Sequence, residues 1–319
     1  MNIDSITFAP LEGVTTYYFR QVYKEFFGGI DMFYTPFLGV AHSHNFMKRD
    51  KKEYLPFQED TIPQILTNKV EDFVWAAKTL QDVGYSEINL NMGCPSGTVV
   101  SKGRGSGMLG DTVALSKFFD GVFESIERLS LPALSVKTRV GLEEYDETPM
   151  IAKVLAGFPF SEIIVHARLR ADFYKKAPNP ESFGLIRDAI LAGPYGESVK
   201  IAYNGDLFSC EDVERFSEAF PEVRRIMLGR GLLRNPFLAM ELKGLPVPED
   251  RGPVLISFLE RIFEEYSAIL SGEKDVMFKM KDLLIYMTEG MEKDSKPVKA
   301  MKKARNRSEL FSAIYELYR

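Results

Sequence analysis

The sequence predicts an α/β chain built as a TIM (β/α)8 barrel followed by a small C-terminal helical domain. Three observations predict it: eight short β-rich runs recur through the first three quarters of the 319 residues, amphipathic helical stretches separate them, and no strand pattern follows the last. Several runs are almost wholly apolar rather than alternating, as strands covered on both faces should be. Strands alternating with helices over roughly 240 residues fit a parallel barrel whose reactive groups sit on the loops after each strand. An open doubly wound sheet is the competing architecture, and periodicity alone does not exclude it.

In chain order the runs are "SITFAP", "DMFYTP", "IPQILT", "EINLN", "ALSVKT", "EIIVHA", "VKIAYN" and "RIMLGR". The clearest helix between them, "NKVEDFVWAAKTLQDVG", is entered at Asn68 and left at Gly84, an N-cap amide and a C-terminal glycine. Residues 1–243 therefore form the barrel. Pro246, Pro248, Gly252 and Pro253 punctuate a linker over 244–253, and 254–319 read as the helical domain. Its first helix, "VLISFLERIFEEYSAILSG", has apolar positions at helical spacing and ends at Gly272.

A hydrophobic fraction of 45% supports a core without staples. Only Cys94 and Cys210 are present, so no disulfide framework exists, and neither a charged-then-apolar leader nor a long apolar run is found. The expectation is a cytoplasmic chain with no membrane partner and no stable protein partner implied. The net charge of -5 argues against nucleic acid, yet it hides a local patch. Near the C-terminus Lys293, Lys296, Lys299, Lys302, Lys303, Arg305 and Arg307 face the single acid Asp294. Such a run is commonly a solvated helix face; seven cations in a net acidic chain raise the case for a polyanion.

The strand ends deliver Pro10, Leu11 and Glu12, then Pro36, Gln64, Asn91 to Pro95, Lys137 to Arg139, His166 to Arg168, Asn204 to Asp206, and Gly229 to Gly231. A thiol, a lysine, an imidazole, an amide and two glycine turns converge on one mouth. Gly205, Gly229 and Arg230 follow the seventh and eighth strands, where backbone N–H groups approach a phosphate closely; tight turns alone also use glycine there. Lys137, ending the buried run "LSVK", points inward at a desolvation cost that an anionic ligand offsets. His166 stands at a strand end, where a structural hydrogen-bonded histidine and a functional one are both open. His42 and His44 lack a nearby third metal ligand and read as loop residues, and Cys210 reads as packing at a helix start after Ser209. Cys94 sits on a strand-end loop between Asn91 and Pro95, open as nucleophile, metal ligand or proton donor.

In this order "APLEGVT", "NMGCPSGTVV...GRGSGMLGD", "VKTRVG", "VHARLRADFY", "YNGD" and "MLGRGLLRNP" resemble the tRNA-dihydrouridine synthase family over about residues 6–240, with a weaker match in the tail. The resemblance implies an FMN-containing barrel with a helical RNA-binding domain that reduces the C5–C6 bond of uridine in tRNA, with NADPH as reductant. It places Pro10 and Leu11 against the flavin, Gln64 and Lys137 on its ring and His166 beside it, with Asn204, Gly205, Asp206, Gly229 and Arg230 at the phosphate end. It gives Asn91 to the uracil and Cys94 the proton for C5. Arg168, Tyr174 and Lys175 line the substrate side, and Lys299, Lys302, Lys303 and Arg305 contact RNA phosphates. Ala167, Leu169 and Leu11 depart from the family's common Gly, Thr and Met, which bears on specificity. The rival readings are an FMN-dependent free-pyrimidine dehydrogenase of the dihydroorotate dehydrogenase type, a synthase acting on ribosomal RNA, and a non-catalytic RNA-binding protein.

Overall fold

The computed structural model describes residues 3–41 and 43–319. His42 lies outside the described residues.

Ten parallel strand segments are β1 (Ser5–Phe8), β2 (Met32–Tyr34), β3 (Leu38–Gly39), β4 (Thr61–Ile62), β5 (Gln64–Leu66), β6 (Glu87–Met92), β7 (Ala133–Gly141), β8 (Glu162–Leu169), β9 (Lys200–Asn204) and β10 (Arg225–Leu228). Their order is β3-β5-β6-β7-β8-β9-β10-β1-β2-β4. β4 and β5 are halves of one run split at Pro63, which has no N–H for a ladder, so the two ends of that order meet and the sheet closes. The eight predicted runs thus form a β/α barrel, with the second continued by β3 after Thr35-Pro36-Phe37. The doubly wound alternative is excluded by the β1–β10 pairing, which joins the first strand to the last (Ser5 opposite Arg225, Phe8 opposite Leu228).

Inside the barrel Ala9, Tyr34, Ile62, Ile164, Ala202 and Met227 form a closed apolar plug. Tyr34 Oη donates to Glu162, which also takes the Arg225 guanidinium. A filled interior leaves ligands only the mouth at the strands' C-terminal ends. The helix Val70–Val83 begins one residue later than the Asn68 N-cap predicts: Lys69 occupies that place without a side-chain cap, and Asn68 Nδ2 donates instead to the Lys102 carbonyl. Gly84 ends it at φ 120° as expected. Cys210 opens a helix whose cap, Ser209 Oγ, accepts from the Asp212 N–H.

Four helices close the chain: Gly252–Ile269, Glu273–Met287, Lys296–Lys303 and Arg307–Tyr318. The first opens inside the predicted linker, with Pro253 in its first turn, and ends before Gly272, which instead precedes the next helix. Phe258 wedges among Phe19, Tyr23, Phe26 and Phe27 of the barrel's first helical layer. Lys279 Nζ reaches the Gly13 carbonyl at 2.8 Å, so the helical segment is seated on the barrel mouth. In Lys296–Lys303, Val298 and Met301 are buried while Lys296, Lys299, Lys302 and Lys303 are exposed. No helix among the described residues is long and apolar enough to cross a membrane.

Candidate active site

At the barrel mouth a cleft runs in two connected lobes that share Pro10, Leu11, Lys137, His166 and Tyr174. The wider lobe, about 230 Å³ and open to solvent, adds Gln64, Asn91, Cys94 and Arg139. The narrower lobe adds Asn204, Gly205, Asp206, Gly229 and Arg230.

The thiol owes its position to a turn. Asn91, the fifth residue of β6, folds its Oδ1 back to accept from the N–H groups of Gly93 at 3.1 Å and Cys94 at 2.9 Å. The Cys94 carbonyl accepts from Ser106 Oγ at 2.8 Å, and Gly105, at φ 58°, lets the returning loop pass with room for no Cβ beside that of Cys94. Arg139 pins the same loop from β7, with Nε on the Gly93 carbonyl at 3.0 Å and Nη1 on the Leu169 carbonyl at 2.6 Å. Burial pushes the Cys94 thiol above its ordinary value and outweighs the lowering from the Ser96 N–H, Arg139 and Lys137; the nearby Glu12 adds to the rise. The thiol is therefore held as S–H at neutral pH, which suits a proton donor better than a nucleophile or a metal ligand. Among the described residues no group of three potential metal ligands exists. His44 instead stacks on Trp75 and lies 3.4 Å from Asp72.

Lys137 lies mid-strand rather than at a strand end, because β7 runs on to Gly141. Burial and then the Arg139 charge bring its ammonium down to about 7, and no carboxylate among the described residues pairs with it. An unpaired lysine aimed into a cleft is a site for an electron-rich ligand edge. His166 is buried, and Arg168 Nη1 lies 3.2 Å from its Nε2. A guanidinium only donates, so Nε2 accepts and the ring proton sits on Nδ1. Burial, followed by Arg139, Lys137, Arg168 and Arg230, holds the imidazole well below its usual range, hence neutral.

The structure places the remaining predicted residues unevenly. Asn204 Nδ2 donates to the Met227 carbonyl at 2.8 Å. Asp206 accepts from both Arg168 and Arg230, and Arg230 also reaches Glu289 Oε1 at 2.9 Å. Arg168 is buried behind the wall rather than on the substrate side: its Nε donates to the Lys176 carbonyl and its remaining nitrogens to His166 and Asp206. Tyr174 covers the shared wall, its ring 4.4 Å from the Arg230 guanidinium, while Lys175 is exposed and lines neither lobe. At Gly205 a Cβ would collide with the Tyr203 ring, so packing already demands that glycine, while Gly229 lies against Ala9. Lys299 pairs with Asp294 at 3.0 Å; Lys302, Lys303 and Arg305 have no acid partner for their side chains among the described residues and stay available.

Four participants escaped the sequence reading of roles. Arg139 was visible as a strand-end cation without a task. Glu12, raised by burial against the charges of Arg49 and Lys279, lines the thiol lobe. Tyr286 and Glu289 come from the helical tail: Tyr286 lines the wide lobe and Glu289 pairs with Arg230 of the narrow one.

A model of the dihydrouridine synthase family, Dus, matches residues 7–311. The chain belongs to that family. A probable tRNA-dihydrouridine synthase of Staphylococcus aureus is 30% identical over 234 residues, spanning 72% of this chain and 68% of the relative. The probable tRNA-dihydrouridine synthase 2 of Bacillus subtilis is 29% identical over 233 residues, covering 72% and 69%. Among solved structures, a morphinone reductase complexed with tetrahydroNAD aligns at TM-score 0.52 and 12% identity, over 78% of this chain and 89% of its own. Histamine dehydrogenase from Rhizobium aligns at 0.55 and 12%, over 82% of this chain and 48% of the enzyme. Those two likenesses concern the barrel fold of this dihydrouridine synthase family member.

Proposed function

We propose that this chain reduces particular uridines of tRNA to 5,6-dihydrouridine, using FMN and NADPH. The observation that carries the reading is a protonated thiol and an unpaired lysine lining one lobe, joined to a second lobe that holds Arg230, Gly229 and Asn204.

The residues present fit a flavin. The wide lobe offers apolar Pro10 and Leu11 with donors from Gln64 and Lys137, and the narrow lobe offers Asn204 and Arg230 to a phosphate. Held there and reduced by NADPH, the flavin would supply the hydride for C6 of the uracil. The chain's own residues do the rest. Cys94 Sγ holds the proton for C5; Asn91 fixes the loop that carries it; Lys137 and Asn91 offer N–H groups to the charge that develops on the uracil O4. His166, neutral, packs at the shared wall and adds no charge of its own.

A uracil within folded RNA is stacked and must be drawn out, at a cost of a few kcal/mol recovered from phosphate contacts and pocket stacking. Tyr286, on the tail, lies at the lobe where that base would arrive, and Lys302, Lys303 and Arg305 offer cations further out. A wall supplied by the tail favours a macromolecular substrate over a free pyrimidine. In this reading 1–243 is the catalytic barrel and 254–319 the RNA-binding part.

The test is to incubate the flavin-loaded protein with unmodified tRNA and NADPH and to map dihydrouridine, alongside total RNA from cells with and without the gene. A site that disappears with the gene and reappears in the reaction supports the reading. Dihydrouridine in ribosomal RNA alone would transfer it to the other substrate, and none in either would defeat it.

A further inference from the structure

β6 carries two asparagines two residues apart, Asn89 and Asn91, on the same face of the strand. Only Asn91 reaches the thiol loop. Behind it, buried side chains continue in a line: Asn91 Nδ2 donates to Gln64 Oε1 at 2.7 Å, and Gln64 Nε2 to Asn89 Oδ1 at 2.8 Å. Asn89 Nδ2 then donates to Ser135 Oγ at 3.0 Å, and Ser135 Oγ to the Ile88 carbonyl at 3.4 Å.

The outer end of this line is backbone: the N–H groups of Gly93 and Cys94 can only donate. At the inner end the Ser135 hydroxyl meets both the Ile88 carbonyl and the Glu87 carboxyl. Read inward from the loop, every amide is therefore forced into one orientation. Asn91 must turn its oxygen to the loop, which turns its nitrogen to Gln64, and so on inward. Asn89, Gln64 and Ser135 are wholly buried, so water offers no alternative partner. Gln64 and Asn91, which both line the thiol lobe, are each left with one unused amide N–H; Asn91 Oδ1 already accepts two bonds and Gln64 Oε1 one.

We infer that Asn89 and Ser135 are positioning residues: acting through Gln64 and Asn91, they hold the Cys94 loop and make the amides of the cleft hydrogen-bond donors. The ligand edge this favours is one rich in oxygen acceptors. The consequence for turnover rests on the proposed uridine reduction; the clamp on the thiol loop does not.

The test uses the full chain carrying Cys210→Ser, so that Cys94 is the one thiol. Asn89→Leu and Ser135→Ala break the line. Asn89→Asp keeps an acceptor for Gln64 and, when protonated, a donor for Ser135. Two readouts are followed: the pH profile of Cys94 alkylation by iodoacetamide, and single-turnover reduction of tRNA uridine by the pre-reduced protein, with flavin content and melting temperature recorded. Asn89→Leu and Ser135→Ala should alkylate Cys94 several-fold faster, and their turnover should fall on the order of tenfold to a hundredfold, since a small misplacement of a reacting group costs that much. Asn89→Asp should stay near the parent in both. Ser135→Ala removes a single oxygen and serves where Asn89→Leu does not fold. Unchanged alkylation profiles in folded variants, whether or not stability or flavin content drops, would overturn the inference. Altered alkylation in a protein whose parent reduces no uridine would uphold the clamp and sink the functional reading instead.

Discussion

Replacing Lys137 by methionine should make the flavin-free protein more stable while weakening its hold on flavin. The ammonium titrates at about 7 in the folded chain against 10.5 ordinarily. Between those two values the unfolded chain binds more protons, so stability rises with pH across that window; below about 7 both states are charged and the whole cost is present. At about 1.4 kcal/mol per pH unit, the gap from 10.5 to about 7 sets a ceiling of about 5 kcal/mol. Methionine keeps the length of the stem and removes the charge. At pH 6.5 the variant should gain about 2 kcal/mol or more, discounted from the ceiling because the lobe is open to water, and at pH 9.5 the gain should shrink to about 1 kcal/mol. Urea midpoints of flavin-stripped parent and variant at both pH values measure this, and flavin titration at pH 7 measures the loss of affinity. A gain that is equal at the two pH values, or a variant less stable at pH 6.5, would refute the argument that this lysine is held in the cleft at a cost recovered only from its ligand.

Other expectations are simpler to state. Cys94→Ala should retain flavin and its reduction by NADPH, while uridine reduction drops about a hundredfold to ten-thousandfold, the usual contribution of a positioned acid; full activity removes Cys94 from the mechanism. His166 is depressed from 6.5, so the unfolded chain takes up a proton that the folded one refuses as pH falls through 6.5, and stability declines there. His166→Gln should show a smaller loss between pH 7 and 5, and an equal loss would place the acid sensitivity elsewhere. Converting Lys302, Lys303 and Arg305 together to glutamine should weaken tRNA binding and lower its salt slope by roughly one unit per lost phosphate contact, with flavin content unaltered. RNA affinity unchanged at low salt would return these cations to the solvent.

The eight runs were legible because strands covered on both faces must be apolar, and the residues after them could be collected without knowing any contact. That collection brought Cys94, Lys137, His166, Asn204 and Arg230 to the walls of one cleft. Closure was not legible, since the pairing of Ser5 with Arg225 spans nearly the whole barrel and no local pattern reports it. Asn68 illustrates a different limit: its residue type suits a helix cap, but a carbonyl from Lys102 competes for the same side chain. Arg168 reads like a substrate-facing cation until its partners are known; Asp206 and the Lys176 carbonyl draw it inward. The state of the thiol was equally hidden, because it is set first by burial and then by groups distant in the sequence, Glu12 after β1 among them. Asn89 did leave a trace, the middle of three polar residues at period two in β6 (Glu87, Asn89, Asn91), and that alternation is the signal by which it could have been found.

Arg230 of the barrel is gripped between Asp206 of the barrel and Glu289 of the tail, and Tyr286 completes the lobe beside it. The modular picture of an engine with an exchangeable address label therefore does not hold at this seam. Anyone retargeting the protein by grafting another relative's helices would also import a new wall and a new counter-charge for Arg230. Such chimeras should be cut after Gly290, or carry residues 286–290 over unchanged, so that altered RNA choice is not confused with a damaged pocket.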